Sequence, residues 1–335
     1  LKSAKPAVSK NSAGYYLWNI WDGKAFDLTR LLTGSQGTLG IITEIKFRLV
    51  QPKKFSRLAV IFLKDLKFLP AAAKAVLKYQ PESFESYDDH TLKLAVRFLP
   101  SLIKILKTKN LFKLAWQFLP EFWIILSGGI PKLVLLAEFT GNGQKEISER
   151  LENLGRDLRG GGFKFRMVKD AEEANKYWTI RRESFNLLRQ HFKGKRTAPF
   201  IDDFIVLPER MPDFLPRLNK ILGKYNLIYT IAGHIGDANF HIIPLMDLAD
   251  PNTEAIIRAL SKEVYDLVLE FKGSITAEHN DGLIRSYYLK KMYGEKVYKL
   301  FEETKKIFDS QNIFNPGKKV GSDPDYAFRH LVKFT

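Results

Sequence analysis

The chain has 335 residues, 45% hydrophobic and 13% aromatic, a composition that builds one large domain or two and excludes a disordered chain. It contains no cysteine, which excludes disulfides, thiolate metal sites and thiol catalysis. No run of about 18 apolar residues escapes a charge or a proline, so a spanning helix is not expected. The formal net charge is +16, and the basic residues are unevenly placed.

The chain opens Leu1-Lys2-Ser3, with neither Met nor the basic start, apolar run and small-residue site of a signal peptide; a fragment lacking its true N-terminus is expected. Residues 1–52 carry Lys10-Asn11-Ser12-Ala13-Gly14-Tyr15, then Gly34-Ser35-Gln36-Gly37-Thr38-Leu39-Gly40-Ile41-Ile42-Thr43. Glycines at 34, 37 and 40, with Ser35 and Thr38 between them, make a loop whose backbone can approach a phosphate or a ring closely. By itself such a loop is more often only a turn, and this one has neither GxGxxG spacing nor a P-loop lysine. Ile41–Val50 is expected to be a strand with Ile45, Phe47 and Leu49 on one face.

From Phe55 strands and helices alternate. Strands are expected at Arg57–Lys64, Glu82–Tyr87, Lys132–Thr140, Phe163–Val168 and Phe200–Val206, and helices at Leu69–Tyr79, Gln144–Leu158, Ala171–His191 and Met211–Leu222. That order predicts an α+β fold with helices stacked on an antiparallel sheet. Arg181 and Arg182 are adjacent on the helix at 171–191. They read as a solvated face or, for one of them, as a guanidinium that grips a carboxylate through two parallel hydrogen bonds.

Residues 91–120 hold Lys93, Arg97, Lys104, Lys107, Lys109 and Lys113 and no acidic residue. Lys93, Arg97 and Lys104 form one helical stripe beside apolar residues, with Trp116 and Trp123 beyond them. Two readings stand side by side: a stripe suited to an anionic membrane surface, and a basic helical hairpin packed on the sheet. No recognition motif for nucleic acid is present, and no nucleic-acid partner is expected.

A strand at Leu227–Ala232 leads into Gly233-His234-Ile235-Gly236-Asp237-Ala238-Asn239-Phe240-His241, where a tight turn and a returning strand are expected. That hairpin would put two imidazoles at the same end. Further on, Ala277-Glu278-His279-Asn280-Asp281-Gly282 adds a carboxylate. Two nitrogens and one oxygen match a catalytic divalent metal with open positions and leave His279 to act as a base. The same histidines could instead be strand-end residues satisfied by backbone carbonyls. Helices are expected at Asn252–Phe271, Ser286–Tyr293 and Glu295–Ser310, before a turn at Asn312–Lys318.

GHIGDANFH followed by GSITAEHNDG resembles the paired signature of FAD-linked 2-hydroxy-acid dehydrogenases and oxidases: nicotinamide-independent D-lactate dehydrogenases, glycolate oxidase subunits and D-2-hydroxyglutarate dehydrogenase. GSQGTLGIIT resembles the segment closing the FAD domain of vanillyl-alcohol-oxidase-type flavoproteins, with Gln36 where that family commonly has Glu. Ile313-Phe314-Asn315-Pro316-Gly317-Lys318 is similar to the segment returning to the flavin. The resemblance implies that residues 1–52 are the C-terminal end of an FAD-binding domain. It makes 53–285 a substrate or cap domain with a ferredoxin-like antiparallel sheet and a basic helical insert at 88–130, and 286–335 a C-terminal helical segment beside the flavin. It implies FAD contacts at Gly34, Ser35, Gly37, Thr38, Gly40, Ile42 and Asn315, and zinc or manganese on His234, His241 and Glu278. His279 becomes the catalytic base and Arg181 the holder of the substrate carboxylate; Asp237 is expected to support the ligands from behind or to build the turn itself, not to ligate.

The earlier FAD half of that family would precede residue 1, so the chain alone is expected to bind FAD weakly or not at all. The implied reaction is oxidation of a D-2-hydroxy acid to the 2-oxo acid, with electrons passing to a quinone or another non-nicotinamide acceptor. Hydroxyglutarate-type enzymes carry Asn two residues after the second histidine, where this chain has Ile243, and their substrate lysine has no match near Ile201-Asp202-Asp203. Small acids such as lactate or glycolate are therefore favoured. The alternatives are an ether-lipid synthase of the same fold and a membrane-associated module that has lost its chemistry. The expected location is the cytoplasm, peripheral on the inner face of the cell membrane through 91–120.

Overall fold

In the computed structural model, which describes residues 1–106, 119, 123, 126, 129–191 and 194–331, the run Leu58-Ala59-Val60-Ile61-Phe62-Leu63 is buried on both faces of a sheet. Leu58, Val60 and Phe62 pack with Tyr87, Val134 and Leu136 against Ala95, Leu102, Tyr177 and Ile180 from three helices. Ala59, Ile61 and Leu63 point to the opposite face and are equally buried. A strand covered on both sides has no polar alternation to show, which is why this one reads as a continuous apolar run.

Packing divides the chain into two units, Val50–Pro199 with Pro208–Asp247, and Leu1–Leu49 with Phe200–Leu207 and Leu248–Thr335. In the first, the sheet unit, the elements are β1 (Phe55–Leu63), α1 (Leu69–Leu77), β2 (Ser83–Asp88), α2 (Asp89–Arg97), α3 (Leu99–Leu106) and β3 (Leu133–Gly141). There follow α4 (Gln144–Gly160), β4 (Lys164–Met167), α5 (Ala171–His191), β5 (Arg196–Thr197), α6 (Met211–Leu222), β6 (Ile228–His234) and β7 (Asn239–Met246). Within this unit the strands lie in the order β4-β1-β3-β2-β6-β7-β5, each pair antiparallel. The first four strands, with a helix between β1 and β2 and another between β3 and β4, form the split βαβ pattern of a ferredoxin-like sheet, as expected. Of the basic insert, Lys93 pairs with Asp89 and Arg97 lies over the Phe98 ring. Lys107, Lys109, Lys113 and Trp116 lie outside the described residues. No helix among the described residues is long and apolar enough to cross a membrane.

The second unit is built on α7 (Thr253–Glu270) and α8 (Leu289–Phe308), the latter interrupted at Gly294, whose φ is 75°. That break falls where separate helices were expected. Two expected strands are not formed as read. Phe200–Val206 shrinks to Phe204–Ile205, because Asp203 at φ 67° sits in the left-handed region and ends extended chain. Ile41–Val50 forms no strand, and Ile41, Phe47 and Leu49 are 80, 76 and 89% exposed. An amphipathic strand needs a neighbour for its backbone groups and its apolar face, and no strand pairs with this run among the described residues. Gly14 of this unit is irreplaceable for a local reason: its φ is 67°, and an added Cβ would meet the Phe301 ring at 2.4 Å.

Candidate functional site

The histidine pair is set by strand register. His234, the last residue of β6, is opposite Asn239, and His241 is opposite Ala232. His234 and Ala232 share a face of the sheet, so His241 becomes the diagonal neighbour of His234. Their rings lie 5.3 Å apart between centroids at 86°. The turn between them is tight: Asp237 N donates to His234 O at 3.0 Å, and Ala238 takes a φ of 55°. Gly233 is required by the close approach of the two strands, since a Cβ there would lie 2.3 Å from the Asn239 carbonyl oxygen.

Glu85 on β2 joins this face. Its Oε1 accepts from Nδ1 of His234 at 2.7 Å, and its Oε2 forms an ion pair with Arg181 of α5. The carboxylate and the guanidinium are both largely buried, with side chains 11 and 18% exposed. Arg182, next along the helix, is exposed and donates to Asn175 Oδ1 at 3.3 Å, so Arg181 is the inward member of the arginine pair. Ile243, two residues beyond His241 on β7, lies on the same face.

The other unit holds Glu278 and His279 in a loop with no strand to position it. Asp203 does that work: its Oδ2 accepts from the amide nitrogens of Glu278 and His279 at 3.0 and 2.8 Å. Asp202 accepts from His279 Nδ1 at 3.1 Å. The His279 imidazole is held above its ordinary pKa, first by that bond to Asp202 and then by the charges of Asp203, Asp202 and Glu278, with burial opposing. Asp203, Glu278 and His279 each offer a ligand atom within 4.8 Å of the other two. Lys10 pairs with Glu278 at 3.2 Å.

Beneath this loop lies an ion pair with both side chains fully buried, Lys319 with Asp281 at 2.8 Å. Lys319 Nζ also donates to the carbonyls of Ser12 and Gly14 and to Asn280 Oδ1, at 2.9, 2.8 and 2.8 Å. One ammonium therefore ties residues 12–14 to residues 280–281. These segments wall a cavity of about 430 Å³ lined by Asn11, Ser12, Gly14, Trp18, Gly34 and Glu278 among others, within the size range of small-molecule sites (roughly 300–1,000 Å³).

Of the flavin contacts expected from sequence, Gly34 lines this cavity. Ser35 and Thr38 are buried: Thr38 Oγ1 donates to the Ser35 carbonyl oxygen at 2.7 Å and is bonded to Tyr15 OH at 2.6 Å, so the Thr38 hydroxyl holds the loop. Gly34 and Gly37 have φ of 76° and 68° and Gly40 has 154°, while Ile42 is exposed. Asn315 Nδ2 donates to Gln36 O at 2.7 Å, fastening the Asn-Pro-Gly turn to the same loop. Sequence reasoning missed Glu85, Asp202, Asp203, Asp281 and Lys319. The available signals were an acidic residue inside an otherwise core-forming strand and two neighbouring aspartates after the apolar Phe200-Ile201.

Comparison with known proteins follows this geometry. Residues 52–319 match the model for FAD linked oxidases, C-terminal domain. The chain is 26% identical over 326 residues to D-2-hydroxyglutarate dehydrogenase of Escherichia coli (strain K12), covering 93% of this chain and 30% of that protein. It is 26% identical over 307 residues to glycolate oxidase subunit GlcD of Bacillus subtilis (strain 168), covering 90% and 59%. With mitochondrial D-lactate dehydrogenase [cytochrome] of Arabidopsis thaliana it shares 26% over 299 residues, covering 88% and 47%. The chain thus spans about 30% of the length of the D-2-hydroxyglutarate dehydrogenase and about half that of the other two. Among solved structures, p-cresol methylhydroxylase with substrate bound superposes with a TM-score of 0.63 at 14% identity, over 90% of this chain and 60% of that one. 4-Ethylphenol oxidase from Gulosibacter chungangensis does so with 0.58 at 16%, over 81% and 55%. These likenesses carry the fold, which is of the vanillyl-alcohol-oxidase type.

Proposed function

The chain belongs to the family of FAD linked oxidases, C-terminal domain, and from that premise we propose that the whole protein oxidises a small D-2-hydroxy acid to its 2-oxo acid. Electrons pass to a quinone or another non-nicotinamide acceptor. The observation that carries the reading is the same-face histidine pair, with Nδ1 of His234 already committed to Glu85. That donor arrangement suits a divalent metal, because a ligating histidine ordinarily gives its other ring N–H to a carboxylate. His234, His241 and Glu278 would hold zinc or manganese, and the cavity beside Gly34 and Trp18 would take the flavin ring. When bound, these groups supply Lewis-acid polarisation of the hydroxyl and hydride acceptance.

The chain's own residues do the rest. Asp202, by taking the Nδ1 hydrogen of His279, leaves Nε2 to accept the hydroxyl proton. Arg181 orients the substrate carboxylate through its guanidinium, which Glu85 holds from behind. Ile243 offers no donor on the face that carries His241, and a second carboxylate buried there would lose a few kcal/mol of hydration. Lactate- or glycolate-sized acids are therefore preferred over dicarboxylates.

Two substitutions test this. His241→Ala should abolish stoichiometric zinc or manganese, read by elemental analysis, with the far-ultraviolet circular dichroism unchanged; normal metal content would refute the site. In the flavin-containing protein, His279→Ala should lower kcat by roughly the 10²–10⁴ of a lost general base with metal content intact. Loss of metal in that variant would make His279 a ligand.

A further inference from the structure

We propose that Glu85 is a positioning residue for two groups at once, fixing the tautomer of His234 with one oxygen and the fork of Arg181 with the other. The inference deepens the reading of His234 as a metal ligand and rests on it for its functional consequence.

The placement is dictated by register. β2 and β6 pair through Ser86 with Gly233 and Tyr87 with Ala232, so the next step brings Glu85 directly opposite His234. Glu85 shares its strand face with Tyr87, and Tyr87 packs against Tyr177 and Ile180 of α5, the helix that carries Arg181. A carboxylate this buried needs a charge partner and hydrogen bonds, and Arg181 supplies the charge.

An ionised carboxylate accepts only. The hydrogen in the 2.7 Å contact between Glu85 Oε1 and His234 therefore belongs to Nδ1, and in the neutral imidazole Nε2 keeps its lone pair. That tautomer is the one that ligates a metal through Nε2, and a carboxylate behind it raises the basicity of the ligand. Glutamine cannot replace Glu85, because a single carbonyl oxygen would have to serve both donors while the amide N–H groups point at one of them. Aspartate keeps the charge and shortens the reach. In this arrangement the guanidinium assigned to substrate and the imidazole assigned to metal are oriented by the same residue.

The test begins with the metal-free chain at a pH where histidine is neutral. Long-range ¹H–¹⁵N spectra report the tautomer of each imidazole, with His234 assigned through His234→Gln. Wild-type His234 should be the Nδ1–H form, and Glu85→Ala should shift it toward Nε2–H. A wild-type His234 in the Nε2–H form, or a tautomer indifferent to Glu85→Ala, overturns the proposal without requiring any variant to bind metal. Zinc titration then reads the consequence. Glu85→Gln, whose shape guards against misfolding, should weaken zinc by roughly 10–100-fold, and unchanged affinity would overturn the functional part. If the wild type binds no zinc, the metal reading of His234 fails while the tautomer result still decides whether Glu85 positions it.

Discussion

The two halves of the candidate chemistry are held in different ways. His234 and His241 stand on adjacent strands, where the backbone ladder sets their spacing and strand alternation sets their face. Glu278 and His279 sit in a loop, where aspartate side chains do what a ladder does elsewhere: Asp203 takes their amides, and Asp281 with Lys319 anchors the segment below. A ladder spreads its constraint over many equivalent hydrogen bonds. An ionic anchor concentrates it in one buried pair, whose loss is costly because the partner left behind is charged.

The largest effect expected from that difference is at Lys319. Lys319→Met should destabilise by about 3–5 kcal/mol, the range for a buried charge stripped of its partner. Burial already pulls the Lys319 ammonium below its usual pKa, with Asp281 opposing. Adding Asp281→Asn should recover much of the loss, because no uncompensated charge then remains. Urea denaturation of both variants measures this. A single variant as stable as wild type would show that the pair is not an anchor.

The same contrast accounts for what could be read from the residues alone. The hairpin was legible because Leu227–Ala232 and Phe240–Ile243 are apolar and β-branched around a Gly-Asp-Ala-Asn turn, and strand periodicity then fixes the face without further information. An antiparallel sheet with helices stacked on it was legible for the same reason, through apolar runs alternating with helix-period segments, whereas its ferredoxin-like character came from the family resemblance. Glu85 was not, because its role depends on which strand lies beside β2, and β6 pairs with it across 147 positions of sequence (Ser86 with Gly233). Nor was Lys319, since Pro-Gly-Lys-Lys gives no sign that its second lysine, not the first, is fully buried. Nor does a glycine-rich loop reveal which way its hydroxyls turn: Ser35 and Thr38, expected as flavin contacts, are buried, and Tyr15 holds the Thr38 hydroxyl.

A smaller effect should separate two glycines of the hairpin. Gly233→Ala drives a Cβ to 2.3 Å from the Asn239 backbone oxygen, so the strands must part, at a cost of about 1–3 kcal/mol for an overpacked site. Gly236→Ala places its Cβ 3.4 Å from Phe84 Cβ, an ordinary contact, and should fall within about 0.5 kcal/mol of wild type. Only the first should displace the ring resonances of His234 and His241. Equal stabilities in the two variants would mean that the pair does not depend on close strand approach.

A comparable effect concerns Asp88, a buried carboxylate of the sheet unit that can be set against Asp281. Lys93 and Lys132 pair with its neighbour Asp89, and Asp88 caps α2 by accepting from Thr91 N at 2.9 Å. Burial pushes its carboxyl up from 3.8 to about 6, with the Thr91 amide and His90 opposing and the charge of Asp89 adding to the rise; Tyr229 faces the same charges. Between about pH 4 and 6 the folded chain therefore keeps a proton that the unfolded chain has released, so stability from this group falls as pH rises through that window and the deficit is complete above it. Asp88→Asn removes the titration while keeping an oxygen for the cap, and gives up only the modest attraction of a charge to the helix N-terminus, about 0.3–1 kcal/mol. The variant should melt above wild type at pH 7–8, and the gap should close toward pH 4. A gap of the same size at both ends would show that the carboxyl is not strained by burial, and that a capping carboxylate, unlike Asp281, needs no ammonium beside it.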